Sequence, residues 1–335
     1  MLTLEDILAD EVLDRAFAWL CHQRRHWPDA TDVWDFRRRW RDEKRHLQAE
    51  LRERRFRFGL LTRVTRGDGT EIDLWSARDA VVLKALAWLL GSHLPLSRRC
   101  THLKGHGGSK AAVRAVHAAL RANRFVLKTD VASYYDSIDH CRLLDRLARF
   151  VPDLGLLNLV GQYLQRTVER GGLYWQYAQG LSLGCPLSPI MGALFLRELD
   201  ERFAASGLFY IRYMDDVVVL TPTRWKLRRA VALLNGIFTT LGLEKHPNKT
   251  FIGRVEKGFD FLGYCLWPDR LTVAQATVER FLARVTRLYE QEGDRRAAAV
   301  SLGLYVRRWA GWASAGVSPL GRPSRNAPQL FADAY

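Results

Sequence analysis

The sequence predicts an α+β fold, and the order of its apolar segments is the first reason. Between residues 125 and 255 the pattern reads strand, helix, helix, strand, strand, helix, strand, which is the split βαβ order of a ferredoxin-like antiparallel sheet. Stretches with apolar residues at helical spacing precede and follow this segment. A third observation connects the fold to chemistry, because two of the predicted strands end in aspartates.

The first 120 residues are predicted to be mostly helical. Helices are predicted over residues 2–23, 35–56, 77–91 and 109–122. Gly91 is the predicted stop signal of the third of these helices, and Ser109 is the predicted cap of the fourth. Residues 58–64 and 71–75 alternate around a Gly-Asp-Gly turn, which predicts a β-hairpin.

The rest of the chain alternates between predicted strands and helices. Helices are predicted over residues 140–150, 153–166, 190–204, 224–241, 277–291 and 295–313. Strands are predicted at residues 125–130, on both sides of residues 213–216, and within residues 246–264. A turn is predicted at Gly171 and Gly172. Gly242 is expected to end the helix predicted over residues 224–241. The last twenty residues are rich in Gly, Pro and Ser and are predicted to be a loose tail.

The most informative stretch is Tyr-Met-Asp-Asp at residues 213–216, which lies between two apolar, β-branched and aromatic runs. Aspartate is depleted in strands, so a pair at the join of two strands needs an explanation. A tight turn is one explanation, and binding of a divalent metal at the hairpin tip is the other. A second apolar strand ends in Asp130. Two strands that present carboxylates at one edge of a sheet are what two-metal phosphoryl transfer requires.

Five segments, in this order along the chain, resemble the motifs A to E of reverse transcriptases. They are residues 129–140, 180–189, 213–216, 246–250 and 258–264. Each motif is weakly specific alone, but the ordered set is highly specific. The pattern is similar to that of bacterial enzymes, namely the group II intron-type, retron, diversity-generating and phage-defence reverse transcriptases.

The resemblance implies a right-handed polymerase with fingers, a ferredoxin-like palm and a short helical thumb. The fingers are expected in residues 1–124 together with 151–179. The palm, with motifs A to D, is expected within residues 125–255, and the primer grip and thumb in residues 256–335. At this length, no added maturase, endonuclease or RNase H domain is expected.

The implied activity is RNA-directed DNA synthesis, in which dNTPs are added to a primer by two-metal phosphoryl transfer. Asp130, Asp215 and Asp216 are the expected carboxylate ligands of Mg²⁺, with Mn²⁺ as the alternative, and Val131 would add a backbone carbonyl. Lys249 is the expected general acid for the departing pyrophosphate, and a solvated loop lysine is the alternative.

Further residues receive roles from the same resemblance. Tyr135 is expected to lie under the incoming sugar and exclude a 2′-hydroxyl, unless it is simply a core aromatic residue. The expected nucleotide-binding residues are Tyr135, Gly184, Pro186, Arg63, Arg66 and Arg78. The expected primer- or template-binding residues are Tyr213, Met214, Lys104, Lys110, Phe261, Leu262, Gly263 and Tyr264, of which the last four are equally consistent with a plain core hairpin.

The sequence also departs from the family pattern. Leu183 stands where the intron-type enzymes carry Gln, which puts ordinary fidelity in doubt. Pro189 stands where diversity-generating enzymes have Gln, which weighs against that class. The fingers hairpin lacks the usual Lys and Arg at its Thr70-Glu71-Ile72 position.

Composition bounds the partners. A net charge of +15 on 335 residues favours a polyanion such as nucleic acid. The expected partners are an RNA template, a dedicated noncoding RNA, a DNA or RNA primer and dNTPs, with an accessory protein or a second copy as further candidates. The sequence contains no long uncharged apolar run, and its acidic N-terminal residues are unlike those of a secretory or transit leader. Its five scattered cysteines suggest neither a zinc site nor a disulfide framework. A cytoplasmic bacterial protein without membrane contact is therefore expected.

Two other functions stay open at this stage. One is an RNA-binding subunit of a defence or mobile-element complex, although the intact aspartates argue against a purely structural role. The other is template-independent or protein-primed DNA synthesis, which the unusual Leu183 and the missing fingers pair leave open.

Overall fold

The computed structural model describes residues 2–65, 69, 71–291 and 295–317, with no description of the side chains of Gln291 and residues 295–300. The chain divides into two compact units. The first unit comprises Met1–Ser97 and Ala132–Glu201, and the second comprises Arg98–Val131 and Arg202–Tyr335. Helices and sheets are mixed in both, which confirms the predicted α+β class.

The elements are numbered in chain order. The α-helices are α1 Glu5–Leu8, α2 Asp10–Gln23, α3 Asp32–Arg38, α4 Trp40–Arg52, α5 Ala77–His93, α6 Gly108–Leu120, α7 His140–Ala148, α8 Leu154–Leu164, α9 Ser188–Phe195, α10 Arg197–Ala205, α11 Arg224–Leu241, α12 Gln275–Gln291 and α13 Arg295–Val317. The strands are β1 Leu61–Thr65, β2 Glu71–Leu74, β3 Phe125–Thr129, β4 Thr167–Arg170, β5 Leu173–Gln176, β6 Phe209–Tyr213, β7 Asp216–Thr221, β8 Phe251–Arg254, β9 Phe259–Phe261, β10 Tyr264–Leu266 and β11 Leu271–Val273.

Most predicted elements are confirmed, but several boundaries were wrong. The predicted helices 2–23 and 35–56 are each divided, because Ala9 is extended (ψ 129°) and Arg39 leaves helical geometry (ψ 15°). Gly91 does not stop α5. A Cβ there would lie 3.1 Å from the Ile190 side chain of α9. The glycine therefore lies inside α5 and leaves space for that side chain. Ser109 is not the cap of α6, which follows Gly107 in the left-handed region (φ 97°).

The first unit contains a four-stranded sheet in the order β2-β1-β4-β5. The predicted hairpin is formed by the antiparallel strands β1 and β2, and most of its turn lies outside the described residues. The predicted turn at Gly171 and Gly172 joins β4 to β5, two strands that the sequence did not predict. Each has only four residues and β5 is exposed throughout, so neither carries a clear apolar alternation.

The second unit is built on an antiparallel sheet in the order β6-β7-β3-β8. Helix α6 covers one face, where its apolar residues pack with Val126, Val218 and Leu220. Helix α11 packs on β3 and β7. It begins where the Thr223 hydroxyl accepts a hydrogen bond from the Lys226 amide and ends, as predicted, at Gly242 (φ 70°).

A smaller sheet in the order β11-β10-β9 and the helices α12 and α13 complete the second unit. The two helices pack through stacked rings, with the Phe281 and Trp309 centroids 4.1 Å apart. The predicted loose tail lies almost entirely outside the described residues. The five cysteines, all within the described ranges, form no disulfide. None of the described helices has the length and apolar character needed to cross a membrane.

Candidate active site

The Tyr-Met-Asp-Asp segment forms the tip of the β6–β7 hairpin. Tyr213 pairs with Asp216, so Met214 and Asp215 form a two-residue turn. Met214 has a positive φ of 55°, a conformation that costs a non-glycine residue about 1–3 kcal/mol. Two groups hold this strained residue. The His102 Nδ1 atom accepts a hydrogen bond from the Met214 amide at 3.0 Å, and the buried Arg212 guanidinium donates one to its carbonyl at 2.6 Å.

Strand pairing brings the third carboxylate beside this turn. Thr129 at the end of β3 pairs with Val217 of β7, so Asp130 follows β3 next to the start of β7. Asp130 is buried, while Asp215 and Asp216 are half-buried. Burial and the adjacent Asp130 carboxyl together raise the pKa of Asp215 to about 7. Burial also raises the pKa of Asp216, although Lys128 opposes this effect.

Two lysines partly balance these acids. The Lys249 amine lies 2.5 Å from the Asp130 Oδ2 atom, and this hydrogen bond raises the pKa of Lys249. The Lys128 amine lies 3.7 Å from the Asp216 Oδ1 atom. Sequence reasoning missed Lys128. The available signal was its position two residues before Asp130 in an apolar strand, which puts both side chains on one face of β3.

The donor set fits a hard divalent cation. Three carboxylates at one sheet edge would supply oxygen ligands, and the raised pKa values of Asp215 and Asp216 indicate that the protein alone compensates the charge of these two groups incompletely. Within the described ranges, no three acidic, His or Cys side chains form a preassembled ligand group. Asp130 is instead bonded to Lys249, so a cation at Asp130 would compete with that amine. Val131 is buried and bridges Lys245 through the backbone.

The carboxylates lie in an open cleft of about 710 Å³ within the second unit. Its charged lining residues are Asp130, Asp215, Asp216, Lys128, Lys249, Asp260 and Arg280. The uncharged lining residues include Phe261, Leu262 and Gly263 from the β9–β10 hairpin. They also include the aromatic residues Phe281, Tyr305, Trp309 and Trp312 from α12 and α13.

Lys110 and Tyr264, both predicted to contact primer or template, are in contact with α13. The Lys110 amine lies 3.6 Å from the centre of the Trp312 ring and donates hydrogen bonds to the Trp312 carbonyl, at 2.7 Å, and to the Tyr264 hydroxyl. Burial and the nearby Arg114 lower the pKa of Lys110 to about 8. Lys104 is exposed, and Tyr213 is half-buried beside His102.

Tyr135, Gly184 and Pro186 belong to the first unit. The Tyr135 ring packs against Gly192, where a Cβ would be 3.2 Å from the ring. Gly184 has a φ of 82° in the loop that lies between β5 and α9, and Pro186 follows it. The nucleotide contacts assigned to these three residues stay a prediction.

Arg63 and Arg78, the two described arginines that were predicted to bind nucleotide, make contacts within the first unit. Arg63 bonds to Asp73 at 2.9 Å, and this contact raises its pKa. Arg78 bonds to Glu50 and lies 4.5 Å from the centre of the Phe56 ring. Arg66 lies outside the described residues. In this structure Arg63 and Arg78 are therefore engaged by acidic side chains.

Comparison with known proteins identifies a family. A family model described as reverse transcriptase (RNA-dependent DNA polymerase) matches residues 82–266, a range that contains the three aspartates and Lys249.

Individual relatives are distant in sequence. Protein YkfC of Escherichia coli (strain K12) is 24% identical, over 52% of this chain and 61% of its own length. The putative COX1/OXI3 intron 1 protein of Saccharomyces cerevisiae is 23% identical, over 68% of this chain and 28% of its own length. The retrovirus-related Pol polyprotein of the type-1 retrotransposable element R2 from Nasonia vitripennis is 28% identical, over 37% of this chain and 14% of its own length. The chain thus spans about three fifths of YkfC and less of the other two.

Among solved structures, a chain of a partial Cas6-RT-Cas1–Cas2 complex is similar with a TM-score of 0.43. It is 16% identical, and the match covers 71% of this chain and 41% of that chain.

Proposed function

The chain belongs to the reverse transcriptase (RNA-dependent DNA polymerase) family, and we propose that it synthesises DNA on an RNA template at the site of Asp130, Asp215 and Asp216. The single observation that carries this proposal is the convergence of these carboxylates at one sheet edge, inside the segment that matches the family. The substrates would be dNTPs, an RNA template and a DNA or RNA primer.

On the basis of the family match, we also propose a division of the chain into fingers, palm and thumb. The antiparallel sheet β6-β7-β3-β8 with α11 is the core of the proposed palm. Asp130 of motif A, motif C and motif D lie in or directly beside its strands. Residues 1–124 with 151–179 are the proposed fingers. Residues 256–335 are the proposed primer grip and thumb.

Asp130, Asp215 and Asp216 would hold Mg²⁺, or Mn²⁺ in its place, with the Val131 carbonyl as a further ligand. When bound, the metal ions would activate the primer hydroxyl and neutralise the leaving pyrophosphate. The protein's own part is to keep the carboxylates at the sheet edge. The strained Met214 turn does this for Asp215, because His102 and Arg212 bond its amide and carbonyl.

Lys249 is the proposed proton donor to the pyrophosphate. A general acid must be protonated at the working pH, and the contact with Asp130 favours the charged amine by raising its pKa. The Lys249 side chain is more than half exposed, which leaves room for its amine to turn from Asp130 to a phosphate oxygen.

The direct test is primer extension by the purified protein. With a DNA primer on an RNA template, dNTPs and Mg²⁺, we expect template-directed extension that EDTA abolishes. A matched reaction with an unrelated template sequence distinguishes copying from untemplated addition, since the product sequence must follow the template. A product of constant sequence on both templates, or no extension with either metal ion, would contradict the proposal.

Sugar selection tests the role proposed for Tyr135. The variant Tyr135→Ala removes the ring that would exclude a 2′-hydroxyl, so we expect the ratio of rNTP to dNTP incorporation to rise by about tenfold or more, equivalent to about 1.4 kcal/mol. Tyr134→Phe is the matched control, since it changes the neighbouring ring by one hydroxyl. Single-nucleotide kinetics with dCTP and CTP measure the ratio. An unchanged ratio in an active Tyr135→Ala protein would show that another residue selects the sugar.

A further inference from the structure

A second strongly charged surface lies on the same sheet, at the end opposite to the aspartates. It consists of seven exposed cations: Arg124, Arg224, Lys226, Arg228, Arg229, Arg254 and Lys257. These residues, with Trp225 and the groove described below, are named the distal basic surface. The backbone brings the three segments together, because Arg124 bonds through its amide to Thr221 and through its carbonyl to Val255.

The charge of this surface is one-sided. Residues 124–125, 221–231 and 252–257 contain one acid, Glu256, which is 3.7 Å from Arg254. Seven cations and one anion give +6, out of a net +15 for the whole chain. Like charges at this density repel one another, so the arrangement is best satisfied by a polyanion.

A groove of about 540 Å³ runs through the surface, between α11 and the edge strand β8. Its apolar floor is formed by Phe125, Leu227, Val231 and Ile252, and its charged rim by Arg224, Arg228, Arg254 and Lys257. The groove exists because α11 packs on β3 and β7, so that β8 beside them keeps an apolar side chain, Ile252, 43% exposed.

Trp225 adds a flat aromatic face beside this groove. Its side chain is 61% exposed, and the Arg229 guanidinium lies 4.6 Å from the centre of its ring. An exposed tryptophan among arginines contributes nothing to the core. It has the composition of a site where an unpaired base stacks while cations hold its phosphates.

The distal basic surface is separate from the proposed catalytic cleft. Phe125 begins β3 and Asp130 follows its end, which places them about 17 Å apart along the strand. The residues that line the groove and those that line the cleft have no member in common. A ligand on this surface can therefore bind while the cleft holds a primer and its template.

We propose that the distal basic surface binds a single-stranded segment of RNA, held at the phosphates by the arginines and at one base by Trp225. Arginine favours this ligand over an acidic peptide, because its planar fork matches phosphate and its plane stacks with bases. The inference goes beyond the proposed polymerase activity, since it concerns a second nucleic-acid segment and requires no chemistry.

Crosslinking locates the contact. The probe is a twelve-nucleotide single-stranded oligoribonucleotide that contains 4-thiouridine, added to the full chain whose cleft is already filled with a short primer–template duplex. After irradiation and digestion, we expect crosslinked peptides that contain Trp225 or residues 252–257. Crosslinks found only on peptides that line the cleft would overturn the proposal.

Charge reversal measures how strongly the arginines of the distal basic surface contribute to RNA binding. We expect the double variant Arg224→Glu/Arg228→Glu to weaken binding of this probe at least tenfold and to lower the slope of log affinity against log salt by about 1.4, since each phosphate contact of a single strand contributes about 0.7. The variant Trp225→Ala should weaken binding about tenfold. Primer extension on a short duplex should stay at the wild-type level in both, so failure of the polymerase proposal is observed separately.

The matched control is Arg41→Glu/Arg45→Glu, which reverses two exposed arginines at the same spacing on α4. Equal weakening by this control would show that net charge alone is responsible and would overturn the proposal. The same holds if an oligodeoxynucleotide of equal sequence binds as tightly as the RNA, or if a twelve-residue glutamate peptide displaces the RNA from this surface at equal charge.

Discussion

The variant Asp215→Asn is expected to lower the rate of dNTP addition by about three orders of magnitude or more, and Asp130→Asn by a similar factor. Each substitution removes a proposed metal ligand while keeping the side-chain volume. Metal-assisted charge stabilisation contributes several kcal/mol, at about 1.4 kcal/mol per tenfold in rate. Single-turnover primer extension measures the loss. Asp145→Asn, at an exposed position of α7, is the matched control and should extend primers like the wild type.

The same Asp215→Asn protein should be more stable to heat than the wild type when EDTA is present. The raised pKa of Asp215 means that folding disfavours its ionised form, because of burial and the adjacent Asp130. When folding raises the pKa of a carboxyl group, the folded protein loses stability as the pH rises from the unfolded pKa to the folded pKa of that group. Near pH 8 the ionised wild-type Asp215 therefore opposes folding, whereas Asn does not. A lower melting temperature for the variant, or extension at the wild-type rate, would contradict the assignment of Asp215.

The second large effect is expected at Arg212. The variant Arg212→Met should lower the free energy of unfolding by about 3 kcal/mol or more, because it removes a fully buried guanidinium and leaves the Met214 carbonyl without this donor. Since Met214 is strained, its turn should also loosen and displace Asp215, so the folded fraction should extend primers more slowly.

Urea unfolding with Mg²⁺ held constant measures the stability, and extension at low temperature measures the activity of the folded protein. Arg202→Met, at an exposed position of α10, is the matched control for loss of one arginine. We expect Arg212→Lys to recover part of the stability but little of the turn geometry, since an ammonium lacks the planar fork. If Arg212→Met were as stable and as active as the wild type, the guanidinium would have no role in holding the turn.

Local sequence signals predicted a large part of this fold. Helix α11 was predicted with its ends, because its apolar spacing and Gly242 agree with the tertiary structure. The β6–β7 hairpin and β3 were predicted from apolar β-branched runs, and the acids at their ends identified the sheet edge. Strands β4 and β5 were missed because each has only four residues and β5 is exposed throughout, so their pairing is determined by neighbouring strands and not by their own pattern.

By itself, the sequence determined that Asp130, Asp215, Asp216 and Lys249 belong to one candidate site, since ordered motifs and strand ends are local properties of the chain. Only the tertiary structure decided which partners surround them. Lys128 lies near Asp216 because β3 pairs with β7, and His102 accepts a hydrogen bond from the Met214 amide across 112 positions of sequence. Arg212 donates to the Met214 carbonyl only two positions away, but tertiary packing buries its guanidinium there.

The same reason explains why Arg63 and Arg78 bond to acids of their own unit and why Lys110 contacts α13. A charged side chain binds the nearest group of opposite charge or the nearest acceptor and ring, and sequence spacing does not reveal which group that is.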